Sequence, residues 1–321
     1  MAMVAPPGRL CGILGRFLQP TDGYSDLELV RSPGDRALRE PWRSEPMLRA
    51  IGSLLPEYRV KAFRSGGDAV NLICDDAHAR RYGYKAGLVP GVSIYAYMSR
   101  SLVEFLGRDW LDHGSAEVAF DHPAYEGDEM RIAGHLESIT KEGTLCIGYR
   151  AENPQGMACG TGTARLPAQP PQPEPVPDDY PSRQREPARP ISLETLKAGE
   201  RLTAITSEFN RKIHWEYCEK AVRDHHPMYR ELVHPGWLLS QANLILTTNY
   251  DLPPWIHVSS AVQNYHAQEQ ECTVTTRGRV LEMFEQRGNH FIVLDVAIFA
   301  GQRCLATVRH TAIFLIAPRV A

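Results

Sequence analysis

The run Asp224-His225-His226-Pro227-Met228-Tyr229 is followed, five residues after the tyrosine, by His234-Pro235-Gly236 and the apolar stretch Trp237-Leu238-Leu239. An acid, three imidazoles and a phenol in one loop can exchange protons. The spacing predicts that this loop feeds the N-terminus of a helix, where exposed amides can polarise a carbonyl. On a purely structural reading, Asp224 caps that helix and the histidines line a solvated turn. The density of titratable groups beside a helix start favours the chemical reading.

The rest of the chain bounds that chemistry. A chain of 321 residues predicts two domains or one pseudo-symmetric domain, and the net charge of -3 leaves no basic face for nucleic acid and no polybasic membrane anchor. Pro6, Pro7, Arg9 and Arg16 break the early apolar residues before a signal-peptide core can form, and no later run suits a membrane span. A soluble, cytoplasmic protein is expected. Cys11, Cys74, Cys146, Cys159, Cys218, Cys272 and Cys304 are scattered without a C-x-x-C pair, which fits reduced thiols. His225, His226 and His234 with Asp224 match no zinc spacing, Gly160-Thr161-Gly162 lacks the third glycine of a dinucleotide loop, and there is no G-x-S-x-G elbow. No metal and no bound cofactor are expected.

Nine of the twenty-four residues from Pro167 to Pro190 are proline, a composition that predicts an extended linker. It separates residues 55–166 from 191–321, with 1–54 as an N-terminal extension. In the front half, Glu57 to Arg64 reads as a strand and Asp75 to Tyr84 as a short helix or turn. Pro90-Gly91 then opens a helix, and four strands follow: Ala116 to Phe120, Glu129 to Ile139, Thr144 to Glu152 and Met157 to Leu166. The back half repeats the order with Thr203 to Phe209, a helix from Trp237 to about Asn249, and strands beginning at Ile256, Glu271, Phe291 and Cys304. Leu88-Val89-Pro90-Gly91 aligns on Leu232-Val233-His234-Pro235-Gly236, and Cys74 and Cys218 each lie fourteen residues before their leucine. This repetition predicts a duplicated α+β unit.

In this order, Ala79, Tyr82-Gly83, Gly87-Leu88-Val89-Pro90-Gly91, Phe120-Asp121-His122-Pro123 and Gly127-Asp128 resemble the MaoC-like (R)-specific enoyl-CoA hydratase family. The resemblance covers roughly residues 55–166 and 191–318. It implies a double hot-dog fold: two long central helices, each wrapped by a curved antiparallel sheet, paired as a pseudo-dimer. The family's D-x-N-P-x-H motif falls on Asp224, His226, Pro227 and Tyr229, and its later H-G falls near His234 and Gly236 with Pro235 inserted. In the front half, setting Asn71 on the motif asparagine puts Ala69 at the acid and Cys74 at the histidine, with Asp68 one residue off. The resemblance therefore implies a front half that binds and a back half that reacts.

Adding water to a conjugated thioester needs a base, an acid and donors for the enolate oxygen. The expected catalytic residues are Asp224, Tyr229, His226 and His234. Tyr229 suits hydrogen-bond donation better than base work, so a histidine would have to replace the missing imidazole. His225, Gly236, Trp237, Asn71, Cys74, Pro90, Gly91 and His257 are the expected substrate-binding residues, with the Gly236 amide holding the thioester oxygen. Cys74 reads as a small buried hydrophobe rather than a nucleophile, and His257 lies in a strand pattern that could face a cavity. Arg277, Arg279, Arg287 and Arg303 are expected on back-half strands facing solvent, where one or two could meet a CoA phosphate. The expected activity is a hydratase or dehydratase acting on an acyl thioester of CoA or an acyl carrier protein. A thioesterase and a non-catalytic acyl-thioester-binding protein are the alternatives, and the chain is either a homodimer or a pseudo-dimeric monomer.

Overall fold

The computed structural model describes residues 49–64, 71–181, 188–269 and 271–317. Most of the expected N-terminal extension, together with Asp68 and Ala69, lies outside them. The front half contains β1 (Tyr58–Lys61), α1 (Asp76–Arg81), α2 (Gly91–Leu106), α3 (Arg108–His113), β2 (Ser115–Ala119), β3 (Glu129–Ile139), β4 (Leu145–Glu152) and β5 (Ala158–Leu166). After β6 (Arg189–Pro190) the back half runs β7 (Ile205–Phe209), α4 (Arg211–Glu216), α5 (Pro235–Asn249), β8 (Tyr250–Asp251), β9 (Ile256–Asn264), β10 (Cys272–Gln286), β11 (Asn289–Ala300) and β12 (Arg303–Leu315).

Ten strands form one antiparallel sheet in the order β1-β3-β4-β5-β2-β9-β12-β11-β10-β7. The five back-half strands repeat the order of the five front-half strands in reverse, so the sheet has a pseudo-two-fold at its centre. There β2 pairs β9 from Ser115↔Gln263 to Ala119↔Ser259. Each half thereby covers an edge that would otherwise expose unpaired amides and carbonyls. Gly52 and Leu55 already pair with Leu136 and Gly134, so the front sheet edge begins before residue 55.

Between Ser93 and Leu106, α2 is buried at every position except Arg100 and Glu104, as suits a helix covered by a sheet on one side and a second helix on the other. It ends at Gly107, whose φ of 73° is the left-handed conformation that glycine adopts without strain. The α5 helix crosses close to it at Gly236, where a Cβ would fall 2.6 Å from the Ala96 Cβ and 2.5 Å from the Tyr217 hydroxyl. Only glycine permits that approach.

The Pro-rich segment is extended and also fastened to the back-half sheet. Pro181 accepts from the Ala204 amide, Asp178 and Asp179 pair with Arg277 and Arg201, and Val176 packs on Ala297, Phe299 and Cys304. Of the four arginines expected to face solvent, Arg279, Arg287 and Arg303 are exposed, with Arg279 paired to Asp295 and Arg303 meeting His266, and only Arg277 departs: it is half-buried, stacks over Phe299 and is bound to the linker. Among the described residues, no helix is long and apolar enough to cross a membrane, and no group of three or more His, Cys, Asp or Glu is placed to hold a metal.

Candidate functional site

The loop that carries the densest chemistry folds into a closed cluster. Cys218 and Val222 anchor a π-helical turn over Tyr217–Val222 that ends at Arg223 in the left-handed region, and the chain then turns inward at Asp224. Asp224 is 2% exposed. Its Oδ1 accepts from Arg100 Nη1 at 2.7 Å and from the His226 amide at 3.0 Å, and its Oδ2 lies 3.3 Å from His234 Nε2. Burial alone pushes the Asp224 carboxyl up, but the hydrogen bond from His234 and the charge of Arg100 outweigh it and hold the group at about 2. Asp224 is therefore ionised and already fully paired at neutral pH.

His234 caps α5. Its Nδ1 accepts from the Gly236 amide at 2.9 Å, so the lone pair is on Nδ1 and the proton on Nε2, directed at Asp224. This overturns the expectation that the Gly236 amide holds a ligand oxygen, because an imidazole within its own turn already occupies it. Tyr229 packs against His234 at 4.2 Å between ring centroids, and burial, followed by the Asp224 charge, raises its phenol well above 10. His226 accepts from the Met228 amide and faces Glu104 through Nε2, and burial, followed by the Arg100 charge, lowers its pKa. His225 points to solvent beside Glu219, away from both the cluster and the cavity below.

An open cavity lies at the other helix start. Its volume is about 570 Å³, and Pro90, Gly91 and Val92 at the head of α2 line it together with Trp237, Gln241 and Leu244 along α5. Here the two halves differ. The N-cap of α2 is Pro90, which gives no side-chain hydrogen bond, and the Gly91 and Val92 amides have no partner among the described residues. An open helix start favours an oxygen carrying negative charge.

Of the expected substrate-binding residues, Asn71, Cys74, Pro90, Gly91, Trp237 and His257 line this cavity, while His225 and Gly236 do not. None of Asp224, His226, Tyr229 or His234 lines it: the four expected catalytic residues are brought together, but elsewhere. Asn71 also has a structural task, donating to the Trp255 carbonyl at 2.9 Å and so tying its turn to the start of β9. His122 is a cavity residue that the sequence placed only inside a motif. Its Nδ1 lies 3.0 Å from the Ala158 carbonyl, which can only accept, so Nε2 presents a lone pair. Arg100 is a site residue outside the expected set, and the sequence carries its signal: Arg100 and Glu104 are the two charges on an otherwise uncharged helix.

Two long helices set against one sheet, related by a central pseudo-two-fold, decide the architecture. The chain has the double hot-dog fold. Solved double hot-dog and MaoC-like proteins superpose on most of it. A MaoC-like dehydratase matches with a TM-score of 0.56 and 13% identity over 83% of this chain and 98% of that one. A MaoC domain protein from Chloroflexus aurantiacus J-10-fl, assigned as a dehydratase, matches at 0.58 and 11% over 85% and 96%. A conserved protein from Mycobacterium tuberculosis with a double hotdog fold matches at 0.55 and 14% over 82% and 96%. No family model and no curated protein sequence matches the chain. At these identities the double hot-dog likeness is one of fold, and the chemistry has to be argued from the residues.

Proposed function

We propose that the protein binds an acyl thioester in the cavity at the start of α2 and adds water to the acyl chain there, or removes it. The observation that carries this reading is the open start of α2, where Gly91 and Val92 line a cavity large enough for a small-molecule ligand and their amides have no partner among the described residues, while the equivalent start of α5 is closed by His234. A thioester oxygen that gains charge during reaction is the group such amides stabilise. His122 is the acid–base group. Its Nε2 takes a proton from water as the water oxygen bonds to the β-carbon and the α,β double bond opens, and the proton is then delivered to the α-carbon. Dehydration is the same sequence reversed. Either CoA or an acyl carrier protein would present the thioester, and one chain supplies both hot-dog halves.

A second reading, acyl-thioester binding without turnover, is favoured by Cys74, which stands in the front half where the hydratase motif has its histidine. Water directed to the carbonyl instead of the β-carbon would give a thioesterase from the same geometry. Loss of enoyl absorbance reports hydration, and release of free thiol reports hydrolysis. The expected result is hydration that falls about 100-fold in His122→Gln, with ligand affinity kept within threefold, and that changes little in Asp224→Asn. Turnover insensitive to His122→Gln and lost in Asp224→Asn would move the reaction to the back-half cluster. Binding with no turnover of any enoyl, hydroxyacyl or saturated thioester would establish the second reading, and no binding would end both.

A further inference from the structure

His257 reaches the cavity through an irregularity in β9. Thr311 of β12 pairs with Ser259 and the next residue, Ala312, pairs with His257, so Val258 is an extra residue on β9. Its carbonyl is taken up by the Phe120 amide at 2.9 Å. In a regular strand, residues three apart point to opposite faces, and one inserted residue reverses that parity. His257 and Ser260 consequently share the inner face and are both buried.

The protons on this inner face can be placed. His257 Nε2 lies 3.2 Å from the Ser259 carbonyl and 2.8 Å from Ser260 Oγ, so it carries the hydrogen. Ser260 Oγ lies 3.2 Å from His310 Nδ1, directly across the strand pair, and donates to it. That leaves the lone pair of His257 on Nδ1, which has no hydrogen-bond partner among the described residues. This nitrogen stands 2.9 Å from the position a Cβ on Gly91 would occupy, at the open start of α2. The cavity also holds Asn243, whose Oδ1 is likewise buried without a partner. Donating amides and an unpaired acceptor therefore lie at the same helix start, and a thioester carbonyl satisfies the amides' need for an oxygen but not the imidazole's need for a hydrogen.

We propose that His257 Nδ1 accepts a hydrogen bond from a hydroxyl group on the ligand, so that the cavity selects acyl thioesters bearing a hydroxyl close to the carbonyl over the same chains without it. This rests on the reading that the cavity holds an acyl thioester with its carbonyl at α2. Burial, and then the neighbouring His310, keep the His257 imidazole well below 6.5, so the acceptor is neutral and available at physiological pH.

Calorimetric titration of hexanoyl-CoA and 3-hydroxyhexanoyl-CoA tests it, with His122→Gln as the background so that neither ligand is turned over. The hydroxylated ligand is expected to bind at least tenfold tighter, a loss of one good hydrogen bond being of that order. Adding His257→Phe should bring the two within twofold of each other, the ratio being read within that variant. Equal affinities before that substitution, or a preference that survives it, overturn the inference and leave thioester binding standing. If neither ligand binds, the thioester reading itself has failed. A readout independent of the variant is the ¹⁵N spectrum of labelled histidine: the His257 Nδ1 resonance should move with the hydroxylated ligand only, and its standing still overturns the inference.

Discussion

Arg100, on the front-half helix α2, and Asp224, on the back-half loop, are 124 residues apart in sequence and meet at 2.7 Å. Arg100 also bonds Glu104 one turn along its helix, so a single guanidinium joins the two halves and neutralises a carboxylate that is almost wholly buried. Removing one partner of such a pair strands the other, and that costs far more than the intact pair contributes. Arg100→Met should lower unfolding free energy by about 3–5 kcal/mol, and Asp224→Asn added to it should recover much of the loss. Urea denaturation of the two single variants and the double variant checks this. A loss below about 1 kcal/mol in Arg100→Met would show that the pair behaves as a surface ion pair.

The same carboxylate makes an acid-side signature. Its folded pKa of about 2 lies below the unfolded value of 3.8, so its stabilisation is fully present above pH 4 and is lost as the pH falls from about 4 toward 2. His310 acts over a higher window. Burial lowers its pKa from 6.5 to about 3, so the unfolded chain takes up a proton that the folded chain refuses, and stability falls as pH drops below 6.5. The slope from one such group is at most about 1.4 kcal/mol per pH unit. Unfolding free energies measured from pH 7 to 2 should fall less steeply between 6.5 and 4 in His310→Phe, with His214 and His257 keeping the rest of that slope, and less steeply below 4 in Asp224→Asn.

The two glycines at the helix starts should respond differently to alanine. A Cβ at Gly236 meets the Ala96 Cβ and the Tyr217 hydroxyl, so Gly236→Ala pushes α5 off α2 and should destabilise the fold by about 1–3 kcal/mol. A Cβ at Gly91 instead meets His257 Nδ1 and the Phe120 ring at 2.9 Å, and the half-buried Phe120 lines the cavity, so the crowding falls on side chains of the binding site and not on the packing of α5 against α2. Gly91→Ala should leave the melting temperature within a few degrees and cut acyl-thioester affinity about tenfold or more, because the new methyl stands between the amides and the acceptor. Melting curves and titrations of both variants separate the outcomes, and a binding loss confined to Gly236→Ala would contradict this assignment.

Much of the scaffold was legible in local pattern. Prolines at Pro90 and Pro235 mark helix starts because a ring-fixed φ suits the first turn and no amide is lost there. Alternating burial marks strands such as β2 and β12, and the repeated order of elements gave away the duplication. The front-half cavity residues Asn71, Cys74, Pro90 and Gly91 were also reachable, since they surround the helix start that the pattern predicts. The bond that closes His234 onto Gly236 was not, although the two are neighbours: motif spacing is the same whether an amide faces a ligand or a side chain of its own turn.

The sequence by itself determined the α+β elements, their duplication and the crowding of titratable side chains on one loop, because each of these is set by periodicity and turn chemistry within a few residues. Only the tertiary structure decided which helix start stays open. That choice depends on Arg100 crossing to Asp224, on His234 swinging onto its own helix, and on one extra residue in β9 turning His257 inward, contacts and parities that become defined when distant segments pack.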